Sequence, residues 1–223
     1  SDRNIAGSQK GGEYMTYLEN VFLCMLAPLL VAGICIGRRQ LKTFVFCFAG
    51  MGACLFSAYL NTFLAIWYQV EIAPVVEEVV KLLPLLFYLL VFEPKPARIR
   101  IAALIVAVSF ATFENICYLS QNGAEAFSFI LFRGFGTGAM HVVCGAMMGA
   151  GLSYAWQKPW LKAAGICGLL GAATTFHAIY NLLVAYGGAV QYVAYAMPVF
   201  TMIAGRVILT VFLRTALATE AAN

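Results

Sequence analysis

Seven apolar runs, separated by short polar or Gly/Pro-bearing connections, set the pattern of this chain. They cover approximately Val21–Ile36, Leu41–Ile66, Ile72–Phe92, Ile99–Leu119, Phe127–Trp156, Leu161–Ala185 and Val190–Leu213. A helix needs about 20 mostly apolar residues to cross the hydrocarbon of a bilayer. The pattern therefore predicts an all-α polytopic membrane protein with seven transmembrane helices. One transmembrane domain is expected over residues 21–214, and the connections leave no room for a second. Residues 1–20 are polar and Gly/Ser-rich and read as a mobile tail. They lack the basic stretch leading directly into an apolar run that marks a signal peptide.

Composition strengthens this reading. Of 223 residues, 62% are hydrophobic and 11% charged, against roughly 45–50% and about 25% in soluble domains. Lys and Arg placement gives the orientation. Arg38, Arg39 and Lys42 lie between the first two runs, Lys95, Arg98 and Arg100 between the third and fourth, and Lys158 and Lys162 between the fifth and sixth. Arg214 follows the seventh, while the alternate connections hold Gln69 and Glu71 or Asn122 and Glu125. An outside N-terminus and a cytosolic C-terminus are expected. Trp67, Tyr68, Trp156 and Trp160 read as interfacial aromatics. Arg133 and Arg206 read as snorkelling to headgroups. The cysteines, none in a CxxC pair, read as small buried hydrophobes.

Against this background a few ionisable residues stand out. Glu77, Glu78 and Lys81 lie in the third run, Glu114 in the fourth, and the only histidines, His141 and His177, in the fifth and sixth. Such groups are costly in hydrocarbon and usually face a protein interior. At about 1.5 Å per residue, Glu78 lies about 9 Å below the outer end of its helix and Glu114 about 8 Å. His177 lies about 12 Å deep, as does His141 if Arg133 marks the outer interface. Helices of alternating direction thus bring their reactive groups to one level, which unrelated polar residues would not do. Glu77 and Lys81 share a helical face, as do His177 and Asn181, so that Asn181 is placed to orient the imidazole or bind substrate. His141 shares its face with Gly134, Gly138, Gly145 and Gly149, a small-residue stripe that favours close helix packing.

Two imidazoles and a carboxylate form a ligand set used for catalytic zinc. Glu114, His141 and His177 fit that set, clamped between helices since no HExxH occurs. Glu77 or Glu78 fits the general base that activates water. Without metal, the adjacent glutamates near Lys81 could divide acid and base roles, so glutamic-protease chemistry stays open. A proton- or metal-coupled transporter or channel is the other class such acids and histidines fit. Each residue also has a plainer role: satisfied core histidines, and Lys81 as countercharge to a glutamate.

Four motifs then appear in order: Glu77-Glu78-Val-Val-Lys81 (EExxK), Phe110-Ala-Thr-Phe-Glu114-Asn115 (FxxxEN), His141-Val-Val-Cys-Gly145 (HxxxG) and His177-Ala-Ile-Tyr-Asn181 (HxxxN). Their order resembles the PrsW family of intramembrane proteases, relatives of the CAAX-prenyl-protease and bacteriocin-processing group. That group usually carries EExxxR and FxxxH where this chain has Lys81 and Glu114, and the departures favour PrsW. The resemblance covers about residues 72–181. It implies a catalytic constellation of Glu77, Glu78, Glu114, His141 and His177, with Lys81, Asn115 and Asn181 orienting or binding substrate. It also implies cleavage of a membrane-anchored protein, such as an anti-sigma factor, near the outer face of a bacterial cytoplasmic membrane. Zinc is the expected cofactor and the lipid bilayer the expected surroundings, with no nucleic-acid partner. The long fifth run is expected to kink or divide near Gly134–Gly138.

Overall fold

A computed structural model describes residues 3–36, 41–67, 72–122 and 127–222; side chains are described within 18–33, 41–65, 72–121 and 127–208, and at 35 and 210. Every extended element among them is helical: α1 (Arg3–Ile36), α2 (Leu41–Trp67), α3 (Ala73–Phe92), α4 (Pro96–Asn122), α5 (Phe127–Ala155), α6 (Lys162–Tyr186) and α7 (Gly188–Ala222). A short 3₁₀ turn, Pro159–Leu161, leads into α6. Arg38, Arg39, Tyr68, Gln69, Glu71 and Glu125, and the side chains of Trp67, Asn122 and Arg214, lie outside the described residues.

Among the described residues, five segments are long and apolar enough to cross a membrane: Leu41–Ala65, Pro96–Gln121, Phe127–Ala155, Pro159–Tyr186 and Gly188–Ile208. In α1 the apolar stretch is the shorter Leu18–Gly33. Helix α3 is apolar but carries Glu77, Glu78 and Lys81 within its 20 residues. The protein is an integral membrane protein, and its surface agrees. Phe87, Leu90, Leu182, Phe200 and Ile208 are all more than 60% exposed, while Glu78, Lys81, His141 and His177 are buried. Lipid tails accept the apolar surface, and the costly polar groups turn inward.

Local chemistry sets the helix boundaries. Pro74 and Pro96 occupy first turns, where a missing N–H costs nothing. At the end of α6, Gly187 takes φ 76° and returns its N–H to the Val184 carbonyl at 3.2 Å. That positive φ suits glycine, so the chain can reverse directly into α7.

Helix α4 is the centre of the bundle, packed on α2 to one side and α5 to the other; α6 rests on α3 and α5. The α4–α5 approach depends on the small-residue stripe read from the sequence. A Cβ at Gly145 would come within 2.2 Å of the Ala107 Cβ, and one at Gly149 within 2.8 Å of the Ala103 Cβ. By contrast, nothing lies within 4 Å of a Cβ at Gly134. One apolar core, including Leu85, Leu89, Ile99, Met148 and Leu152, fills the bundle beyond the polar groups. A second, around Phe110 and Phe113, joins α1 and α2, with Phe22 edge-on to Phe113 at 5.6 Å.

Helix α5 is divided as expected. Arg133–Gly138 winds as a π-helix between two α-helical parts, Phe127–Phe132 and Ala139–Ala155. Such π segments recur at functional sites. This one absorbs about one extra residue. Arg133 and His141, eight positions apart and about 80° out of line in an ideal α-helix, then stand as if seven apart, about 20° out of line.

Candidate active site

The acids, bases and cations of α3, α4, α5 and α6 meet in one chain of contacts. Arg133 Nη2 donates to Glu114 Oε1 at 2.7 Å. Glu114 Oε2 lies 2.7 Å from His141 Nε2. His141 Nδ1 is 3.0 Å from Lys81 Nζ. Lys81 donates in turn to Glu78 Oε1 at 2.5 Å, and the same oxygen receives His177 Nδ1 at 2.9 Å. His177 Nε2 then faces Glu77 Oε2 at 3.8 Å.

The donors fix the tautomers. An ammonium only donates, so His141 Nδ1 accepts from Lys81 and Nε2 carries the proton offered to Glu114. A carboxylate only accepts, so His177 Nδ1 carries a proton to Glu78 and its Nε2 turns a lone pair toward Glu77. Aromatic packing holds both rings. Phe110 lies 5.0 Å from the His141 ring, and the two imidazoles meet edge to face at 4.9 Å. Phe110 also receives the Lys81 ammonium over its face at 4.7 Å.

Each expected site residue has a definite place. Glu78, Lys81, His141 and His177 are buried, and Glu77 and Glu114 are partly open at 13% and 25% side-chain exposure. Lys81 is a countercharge, and its partner is Glu78, one turn away on the buried face, not Glu77. Asn115 accepts from Arg133 Nε at 3.1 Å. Among the described residues Asn181 makes no hydrogen bond to the imidazole; Glu78 holds His177 Nδ1, reaching it across the α3–α6 contact.

Arg133 departs from expectation. It does not snorkel; its side chain is 15% exposed, pairs with Glu114 and Asn115, and stacks on Tyr118 at 4.1 Å. Once the π turn points Arg133 inward, the partly buried Glu114 carboxylate and the Asn115 amide together hold its guanidinium by charge-assisted hydrogen bonds. Arg206 is exposed. The same turn brings Thr137 to the Tyr180 hydroxyl at 3.0 Å. Cys54, Cys117 and Cys144 are buried free thiols, and Cys24, Cys35 and Cys167 are exposed.

The donor set can be tested for a metal. Ligand atoms of Glu77, His141 and His177 lie within 4.8 Å of one another. Ligands about 2.0–2.2 Å from zinc stand roughly 3.3–3.6 Å apart, so a small closure would suffice. Glu77 Oε2 is buried and has no hydrogen-bond partner among the described residues, a state that costs free energy unless something binds there. His177 already shows the carboxylate–imidazole arrangement that orients metal-ligating histidines. Three glutamates face two permanent cations, Lys81 and Arg133, so the ionised cluster has a charge of −1 with neutral imidazoles. A buried excess of negative charge calls for a proton or a cation. The residues fit a divalent metal once His141 carries its proton on Nδ1 and frees Nε2.

Residues 25–203 match the PrsW family of intramembrane metalloproteases. The chain belongs to this family. The match covers most of its length and takes in every residue of the contact chain. No curated protein and no solved structure matched it.

Proposed function

We propose that this PrsW-family protein is an intramembrane endopeptidase that cuts a membrane-anchored protein near the outer face, with an anti-sigma factor as the kind of substrate the family likeness favours. The observation that carries the reading is the partnerless Glu77 Oε2 facing the lone pair of His177 Nε2 beside a second imidazole. In this reading α1 and α3 also span the bilayer, making seven crossings with the N-terminus outside.

Glu77, His141 and His177 would hold the cation, zinc by donor preference; His141 would offer its Nε2 lone pair in the tautomer protonated at Nδ1, in place of the hydrogen bond from Nε2 to Glu114. When bound, the metal acts as a Lewis acid toward the scissile carbonyl and lowers the pKa of a coordinated water. The protein's own groups do the rest. Glu78 keeps the His177 proton on Nδ1 and its lone pair on Nε2. Arg133 anchors Glu114 Oε1, leaving Oε2 to receive a proton at the partly open edge of the site. The same carboxyl can return that proton to the leaving amine. Lys81 neutralises Glu78.

The missing partner of Glu77 Oε2 also favours a second arrangement: Glu77 as base, with Glu114, His141 and His177 as ligands. The transporter reading is disfavoured. The core beyond the cluster is packed with the apolar side chains of Leu85, Leu89, Met148 and Leu152.

The test is cleavage of a membrane-tethered reporter in proteoliposomes. Glu77→Gln and His177→Ala should each abolish it while thermal unfolding stays cooperative. Undiminished cleavage by both would sink the proposal.

A further inference from the structure

Two adjoining cavities lie away from the acid–base chain, where the start of α2, the end of α3 and the start of α4 meet. One is an open groove of about 470 Å³ walled by apolar side chains, Val45, Ala49, Leu83 and Phe87 among them. The other, of about 340 Å³, is walled by Lys42, Arg98, Ile101 and Ile105. They share Lys42, Phe46 and Tyr88, so an apolar slot runs directly into a doubly cationic recess.

Neither cation has a carboxylate within ion-pair distance among the described residues. Lys42 Nζ sits over aromatic rings instead, 5.2 Å from the centre of Phe92 and 6.0 Å from Tyr88. Lys42 stands in the first turn of α2 and Arg98 in the first turn of α4, where helix ends reach the headgroup level. From Lys42 the groove follows α2 to Ala49, about 10 Å toward the bilayer interior.

We propose that this is a binding site for an anionic glycerophospholipid, its phosphate between Lys42 and Arg98 and an acyl chain along the groove. Two unpaired cations need a negative group, and clusters of Lys and Arg at the membrane surface recruit anionic headgroups. The adjoining wall offers carbon and almost no hydrogen-bonding groups. A peptide segment would bring unsatisfied amides into it, whereas a hydrocarbon chain brings none. Cation and slot together match an amphiphile, and free phosphate would use only half of the site.

The experiment is lipid retention by the purified full-length protein in nanodiscs, read by native mass spectrometry, with phosphatidylglycerol competing against phosphatidylcholine of the same chains. The wild type should retain phosphatidylglycerol preferentially. Lys42→Gln/Arg98→Gln, both exposed positions, should lower that preference roughly 10–30-fold. Ala49→Trp should reduce retention of either lipid by filling the slot. Millimolar inorganic phosphate should not displace the lipid. Equal retention of the two lipids by wild type, an unchanged preference in the double variant, or displacement by phosphate alone would each overturn the proposal. So would a membrane-tethered protein cross-linking to the groove in place of lipid.

Discussion

Glu77 Oε2 and His177 Nε2 face each other at 3.8 Å, too far for a hydrogen bond, and the carboxylate oxygen has no other partner among the described residues. Its neighbour Glu78 is the reverse: one oxygen takes both Lys81 and His177. Two adjacent glutamates therefore have opposite duties. Glu78 holds the site together, and Glu77 is left with capacity to bind or to accept a proton.

The contrast separates stability from activity. Glu78→Gln leaves the buried Lys81 ammonium without its counterion, and breaking such a pair costs about 3–5 kcal/mol. Glu77→Gln breaks no hydrogen bond of the contact chain and should leave stability unchanged or raised. Thermal unfolding in one detergent, beside cleavage assays, checks this. Both variants should be inactive, and only Glu78→Gln should unfold early.

Metal content distinguishes the two ligand assignments. With Glu77, His141 and His177 as ligands, Glu77→Gln should fall well below one zinc per chain while Glu114→Gln keeps its metal. The second arrangement predicts the opposite. Elemental analysis after zinc loading gives the answer without an activity assay.

Arg133 should act through Glu114. Substitutions in the partners that orient a site typically cost 10–100-fold, and Arg133→Gln should lower kcat by about that factor. Arg133→Lys should recover only part of the loss, because an ammonium cannot reproduce the fork that reaches Glu114 and Asn115 together. An equal effect of both variants on KM, with kcat unchanged, would argue for a role in substrate binding.

The glycine stripe gives an internal control. Gly145→Ala drives a methyl into Ala107 and should cost about 1–3 kcal/mol by overpacking, moving His141 away from α4. Gly134→Ala enters open space and should be neutral on the same melting measurement.

Hydropathy alone made the all-helical membrane fold legible, because a spanning segment must satisfy its backbone hydrogen bonds internally and be apolar over about 20 residues. The same physics exposed Glu77, Glu78, Lys81, Glu114, His141 and His177, since ionisable groups are rarely placed in hydrocarbon without cause. Helical spacing also foretold a close helix approach on the His141 face but not its partner, which at Gly145 and Gly149 is α4. Which groups touch was not legible. Lys81 was within reach of either glutamate, Asn181 was as near in sequence to His177 as any orienting residue, and Arg133 lay off the His141 face until a π turn brought it round.

The sequence by itself determined the class of protein, the membrane environment and the set of residues able to do chemistry, because burial cost depends only on residue type and segment length. Only the tertiary structure decided that Glu78, not Asn181, orients His177, that Arg133 belongs to the site, and that Glu77 retains an open oxygen. Those outcomes depend on distances between helices, and a local pattern within one helix carries no information about where a neighbouring helix places its side chains.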